Sequence, residues 1–300
     1  MNRDGSPQVL QAAALAVTDK VQSGCALMLG QILVEGGRLA PEEVDRIVDF
    51  QRTHPVRFGQ AGRLLGLLTE DDLRYALSVQ FDYPYLGADS KLDARLIAAH
   101  RPDSSQAECW RALRSQLLLR WPGAGQRSRA LVVVSPDRRE GRSLAAANLA
   151  ITFAQLGQRT LLIDADLRQP SLHMLFDVRQ RLGLSDLLAG RLGEQAVTGI
   201  DGLACLCLMP AGTVPPNPQE LLARPRFDQM LQALTQDHEV IIIDTPAAGQ
   251  CADAQTVAVP AGAALLLARR HASSLSRLAQ LGQGLSGFGV QLVGSVLNEG

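Results

Sequence analysis

The chain has 300 residues, 29 basic and 30 acidic side chains and a net charge of −1, with 46% hydrophobic and 20% charged residues. That balance allows a sizeable core, excludes global disorder and gives no basic excess that would signal a nucleic-acid partner. The length fits two domains, no apolar run approaches the roughly 18–20 residues that cross a bilayer, and the amino terminus lacks a signal-peptide core, so a cytoplasmic protein is expected.

Residues 1–23 read as a leader with a short helix over Val9 to Val21 and no assigned role. From residue 24 to 88 the chain repeats itself: MLGQILVEGGRLAPEEVDRIVDFQ, beginning at Met28, aligns without gaps on RFGQAGRLLGLLTEDDLRYALSVQ, beginning at Arg57. Val44, Ile47 and Val48 fall on Leu73, Ala76 and Leu77, an i, i+3, i+4 helical face. Each unit reads as a short helix, a glycine turn and a second helix opened by acidic residues, which suit the positive helix start; Thr69 is placed to cap the second copy. Five cysteines without a CxxC pair read as buried apolar residues rather than metal ligands or disulfides.

This repeat resembles the MshE-type N-terminal domain of secretion and pilus ATPases, whose paired motifs have the form RLGxxLVxxGxLxxxxLxxxLxxQ. The following Phe81-Asp-Tyr-Pro-Tyr85 is similar to the segment after those motifs. Some members bind cyclic di-GMP through the leading Arg and Gly, which the resemblance carries to Arg57 and Gly59. The first copy has Met28 in place of that Arg, and Gly62 and Arg63 stand where the family has aliphatic residues.

Residues 89–104 read as a linker, and Ala107 to Trp121 as a helix with Glu108, Arg111 and Arg114 along one face. Leu131 to Val134 reads as a buried strand, followed by SPDRREGRS and a helix that opens at Gly141-Arg142-Ser143. A strand feeding a glycine loop into a helix offers backbone N–H groups and the positive helix end to a phosphate. The P-loop pattern asks for Gly, four residues, then Gly-Lys-Ser/Thr; here Pro136 and Arg142 occupy the first Gly and the Lys positions. Two further apolar strands end in carboxylates: LLIDADLRQP carries Asp164 and Asp166, and VIIIDTP carries Asp244. Unbroken Leu, Ile and Val runs suit parallel strands buried on both faces, and carboxylates at their carboxyl ends lie where open α/β sheets bind ligands. A magnesium nucleotide needs such carboxylates and a hydroxyl, here Ser143. With strands over Leu203 to Met209, Ala264 to Ala268 and Val290 to Val296, the region 105–300 is expected to be an α/β P-loop NTPase with a parallel, doubly wound sheet flanked by helices.

ExxRxxR (Glu108, Arg111, Arg114), SPDRREGRS, LLIDADLRQP, GLSDLLAG, PAGTVPPNPQELL, VIIIDTP and GSVLN occur in the order found in bacterial tyrosine kinases (BY-kinases) of capsule and exopolysaccharide systems. The chain resembles the EpsG-type chain-length determinant kinases, which pair such a domain with this N-terminal region. The resemblance implies an ATP- and Mg2+-dependent protein tyrosine kinase that regulates exopolysaccharide chain length or export. It implies phosphate contacts from Arg139, Glu140, Gly141, Arg142, Ser143 and Leu144, an adenine contact from Asn298, and magnesium at Ser143, Asp164 and Asp244. Asp166 and Asp164 become candidate bases, and Arg142, Asp164, Asp166 and Asp244 the catalytic set. It further implies a homo-oligomer built through Glu108, Arg111 and Arg114, and a membrane-embedded chain-length determinant as partner, which would hold the chain at the inner face of the plasma membrane.

Two departures qualify the resemblance. Arg142 replaces the phosphate-loop lysine, and the two side chains are not interchangeable at a tight site. The three tyrosines, Tyr75, Tyr83 and Tyr85, all lie in the N-terminal module, so phosphorylation is expected there or on another protein rather than on a tail. An ATP-binding regulatory subunit without phosphotransfer, and a MinD/ParA-type partitioning ATPase, remain the alternatives; the latter uses an extra lysine where this chain has Asp137.

Overall fold

The computed structural model describes residues 29–81, 86–87, 90–121, 129–180, 182–191 and 196–299. The expected leader helix, Met28, Tyr83 and Tyr85 lie outside them. The chain divides into two compact units, Met1–Asp89 and Ser90–Gly300.

In the first unit, helical backbone at 29–35 is followed by α1 (Pro41–Thr53), α2 (Phe58–Leu64) and α3 (Glu70–Phe81). The Glu43 carboxylate accepts the Ala40 N–H at 2.8 Å, and Thr69 and Asp72 cap one another's N–H groups at the start of α3. Gly37 and Gly66, equivalent in the two copies, both adopt left-handed backbone (φ 66° and 68°), the conformation that lets each helix reverse into the next segment. Leu33, Leu39, Ile47, Phe58, Ala61, Leu68 and Ala76 form the core. Leu77, expected on the buried face, is instead 36% exposed, because the core is already closed by Ala76 and Leu73. Arg38 of the first copy reaches Asp71 (3.0 Å) and Asp72 (2.8 Å) of the second, with its guanidinium 4.5 Å from the centre of the Tyr75 ring.

The second unit holds a seven-stranded sheet among the described residues, ordered β3-β4-β2-β5-β1-β6-β7. The strands are β1 (Arg129–Val134), β2 (Thr160–Asp164), β3 (Thr198–Ile200), β4 (Leu203–Met209), β5 (Val240–Asp244), β6 (Ala263–Arg269) and β7 (Gln291–Asn298). All neighbours are parallel except the short edge strand β3, which runs antiparallel to β4 and was not legible in the sequence. β2 and β5 are buried at every position, as their unbroken apolar runs require.

The stretch read as a linker is ordered from Ser90 and belongs to this unit. It forms α4 (Ile97–His100), buries Leu96, Ala98 and Ala99, and donates the Ala98 N–H to the Asn148 side chain at 2.9 Å. The apolar residues at 96–99 are the reason: they cover a helix that a free linker would leave exposed. That helix, α6 (Arg142–Gln155), follows α5 (Ser105–Arg120) and β1. Its Ala145-Ala146-Ala147 run and Leu149, Ile151 and Phe153 are buried, so it is apolar around its circumference and packs both on the sheet and under α4 and α5. The remaining helices are α7 (Leu172–Leu175), α8 (Leu184–Leu188), α9 (Pro218–Leu222), α10 (Pro225–Asp237), α11 (Asp253–Ala261) and α12 (Leu275–Gly287). Among the described residues, no helix is long and apolar enough to cross a membrane.

Candidate active site

The order β2-β5-β1 makes three carboxyl ends adjacent: the loop after β1, Asp164 at the end of β2 and Asp244 at the end of β5. The loop after β1 runs from Ser135 to Gly141, and α6 opens with its N-terminus towards it. Gly141 has φ 98°, and a side chain there would also collide with the Asn298 amide, so only glycine fits. The half-buried Ser143 sits in the first helical turn with Leu144. Free N–H groups at such a start form an anion site.

The loop is braced from within. Glu140 is 1% exposed; its carboxylate accepts the Asp137 N–H at 2.7 Å and the Ser273 hydroxyl, while its carbonyl accepts from Asn298 Nδ2 at 2.9 Å. Arg269 donates to the Arg139 carbonyl at 3.1 Å, which holds Arg139 in left-handed backbone (φ 61°), an unusual state for a non-glycine residue. The Glu140 side chain thus braces the loop, and the Asn298 amide bonds the loop backbone.

Arg142 is buried and fully engaged on two of its nitrogens. Nε donates to the Thr245 carbonyl at 2.9 Å, and Nη1 to Ser135 Oγ and the Asp137 carbonyl, each at 2.5 Å. The arginine therefore stitches both ends of the phosphate loop to the segment leaving β5, a span that lysine's single ammonium does not reproduce.

Asp164 and Asp244 have no exposed surface. Asp164 Oδ2 accepts the N–H groups of Ser171 (3.1 Å) and Leu172 (3.0 Å), and Oδ1 that of Asp166 (3.2 Å). Burial, and then the neighbouring Asp244, still push its carboxyl well above the ordinary carboxylate range. Neither oxygen of Asp244 has a hydrogen-bond partner among the described residues. Burial pushes Asp244 up to about 7; the nearby Ser143 hydroxyl and Arg142 cation draw it back, although Ser143 makes no bond of proper geometry to it. A buried carboxylate with two orphan oxygens, beside a second desolvated carboxylate and a serine hydroxyl, has the donor chemistry of a hard divalent cation. No three His, Cys, Asp or Glu side chains converge into an all-protein cage among the described residues.

Away from this centre, Glu108 pairs with Arg111 (2.6 Å), and Arg111 also donates to the Pro102 carbonyl. Arg114 turns onto α6 and donates to the Thr152 carbonyl at 2.7 Å, leaving Nε buried without a partner; desolvation lowers its pKa. In the first unit Arg57 is exposed at the start of α2, and a Cβ at Gly59 would press on Leu73, so Gly59 allows α2 to approach α3. Residues that the sequence did not single out, Ser135, Thr245, Ser273, Arg168 and Asp253, complete the centre. Ser135, Arg168 and Thr245 lie within the quoted motifs and Asp253 opens a helix, whereas Ser273 carries no sequence cue.

The model of the cellulose biosynthesis protein BcsQ family matches residues 138–293. The putative tyrosine-protein kinase CapB of Staphylococcus aureus is 31% identical over 199 residues, which span 66% of this chain and 86% of CapB. The tyrosine-protein kinase etk of Escherichia coli is 34% identical over 202 residues, which span 67% of this chain but 28% of etk. The solved kinase domain of that protein superposes with a TM-score of 0.65 at 31% identity, covering 70% of this chain and 81% of the domain. The septum site-determining protein MinD of Pyrococcus horikoshii, solved with Mg-ADP, shares the fold at TM-score 0.51 and 25% identity over 57% of this chain and 70% of that one. With its sheet order, phosphate loop and paired strand-end carboxylates, the chain belongs to the bacterial tyrosine-protein kinase family.

Proposed function

We infer that the chain transfers the terminal phosphate of ATP to tyrosine hydroxyls of protein, in an exopolysaccharide or capsule system. The observation that carries the reading is the unpartnered Asp244 carboxylate lying beside Asp164 and Ser143 at the mouth of the phosphate loop. Ser143, Asp164 and Asp244 would hold magnesium, which when bound neutralises charge developing on the phosphate oxygens. The N-terminal amides of α6 and the backbone of 138–143 cradle the phosphates. Asn298, anchored on Glu140, borders the nucleotide side of the loop. The half-buried Asp166 accepts the proton of the acceptor hydroxyl. The Glu108–Arg111–Arg114 helix would join copies of the chain, a membrane-embedded chain-length determinant would be its partner, and Arg57 with Gly59 would offer the first unit a cyclic di-GMP contact.

Purified protein incubated with labelled ATP, magnesium and the cytoplasmic tail of the membrane partner tests this. Label on tyrosine that disappears in Asp164→Asn is the expected result. A second reading, an ATP-binding regulatory subunit, draws on Arg142, whose guanidinium is committed to Thr245, Ser135 and Asp137. ATP binding without label under every partner condition would establish that reading instead.

A further inference from the structure

The Asp166 carboxylate accepts two backbone N–H groups on one oxygen: Oδ1 takes those of Arg168 (3.2 Å) and Gln169 (2.9 Å). The direction of the other oxygen, Oδ2, is thus set by the backbone at 168–169. That backbone is anchored through the Arg168 side chain. Its Nε and Nη2 fork onto Asp253, at 2.8 Å to Oδ2 and 3.1 Å to Oδ1. Asp253 has no exposed surface and is the first residue of α11, so the fork ties the loop after β2 to the start of that helix. Arg168 is correspondingly held in its charged form, first by the hydrogen bonds to Asp253.

The anchor connects two parts of the centre that leave different strands. Arg168 lies four residues beyond Asp164 at the end of β2, and Asp253 nine residues beyond Asp244 at the end of β5. The Ala165 N–H, bonded to the Asp244 carbonyl at 2.9 Å, joins the same two segments closer to the sheet. The segment carrying Asp253 is itself tied to the phosphate loop. Ala248 N–H bonds the Ser135 carbonyl (3.0 Å), Gly249 N–H the Pro136 carbonyl (2.9 Å), and Arg138 bonds Gln250 (2.5 Å).

We propose that Arg168 is a positioning residue: held by Asp253, it aims the Asp166 carboxylate at the acceptor hydroxyl and keeps that aim in register with the phosphate loop. The inference rests on the kinase reading of this site. In the step concerned, the tyrosine oxygen forms a bond to the terminal phosphorus as Asp166 Oδ2 takes the hydroxyl proton. The bond from that phosphorus to the bridging oxygen breaks, and ADP leaves with the electron pair.

Arg168→Gln alone strands a buried carboxylate, so the informative variant is the neutral pair Arg168→Gln with Asp253→Asn, in which neither partner is left as an uncompensated charge. The readouts are phosphate transfer to a tyrosine peptide and amide hydrogen exchange of residues 165–169 in the ligand-free protein. The neutral pair is expected to lower kcat by about tenfold or more, with KM for ATP held within about twofold, and to speed exchange across 165–169. In an Asp166→Asn background the same pair of changes should add no further loss of kcat, because a positioning residue has nothing left to position. Arg168→Lys should recover only part of the rate, since an ammonium cannot fork onto Asp253. Losses that multiply across the two backgrounds, or a neutral pair with wild-type kcat, would overturn the proposal. A wild-type chain that transfers no phosphate removes the kinase reading, and unchanged exchange at 165–169 then overturns the positioning role as well.

Discussion

Asp164 and Asp244 are register partners on adjacent parallel strands, side by side and without exposed surface, and only Asp164 is satisfied by backbone amides. Like charges this close in a desolvated place favour at least one proton between them until a cation arrives.

Asp244→Asn should therefore remove magnesium-dependent nucleotide binding while stabilising the ligand-free fold. An orphan buried carboxylate costs about 1–3 kcal/mol, so a rise in Tm of a few degrees is expected by calorimetry without nucleotide. A fall in ligand-free Tm would contradict the orphan status of this carboxylate.

The same pair sets a pH dependence. The Asp244 carboxyl is raised from 3.8 to about 7, and Asp164 is raised too. Between roughly pH 4 and 7 the folded state holds protons that the unfolded chain releases, so this stability is present at the acid side and lost as pH rises through 7. Ligand-free Tm should fall from about pH 5.5 to 7.5, and the slope should flatten in Asp244→Asn. Magnesium binding, which competes with those protons, should strengthen over the same interval.

Arg142→Lys should cost about 1–3 kcal/mol in urea denaturation, because the ties to Thr245, Ser135 and Asp137 are lost, yet it should keep nucleotide affinity. Arg142→Ala should lose both. If the lysine variant binds nucleotide no better than the alanine variant, the arginine contributes more than a loop brace.

Gly183→Ala tests the loop opposite. A side chain there would run into the Pro210 carbonyl, and Gly183 N–H also bonds the buried Asp186, which holds the Thr213 N–H at 3.1 Å. We expect a loss of about 3 kcal/mol or more, with poor soluble yield. Arg38→Ala, by comparison, should soften only the first unit, by about 1 kcal/mol, since its pairs with Asp71 and Asp72 are partly solvated. Separate melting of the two units would show it.

Much of the fold was legible because burial leaves a plain mark. LLID and VIIID carry no alternation, so they read as strands covered on both faces, and each ends in the carboxylate that the site uses. The glycine turns at Gly37 and Gly66 were visible as a repeat before their left-handed backbone was known. What escaped reading depends on side chains meeting across long separations. Nothing local tells that Arg142 bonds Thr245, that Glu140 turns inward to Ser273, or that Arg168 forks onto Asp253. The segment at 96–99 was misread for a related reason. Leu96, Ile97, Ala98 and Ala99 are too short an apolar run to stand out until the buried helix they cover is in place.

The strand order also governs how the centre comes into being. β1 and β2 share no hydrogen bonds with each other; β5, made about eighty residues after β2, is inserted between them and bonds both. Until Val240–Asp244 has been synthesised and threaded into that gap, the phosphate loop and the Asp164 loop have no common frame. Such late, long-range pairing slows folding and makes it cooperative. The last braces of the phosphate loop, from Arg269, Ser273 and Asn298, come later still, so the centre is complete only once β6 and β7 have joined the sheet.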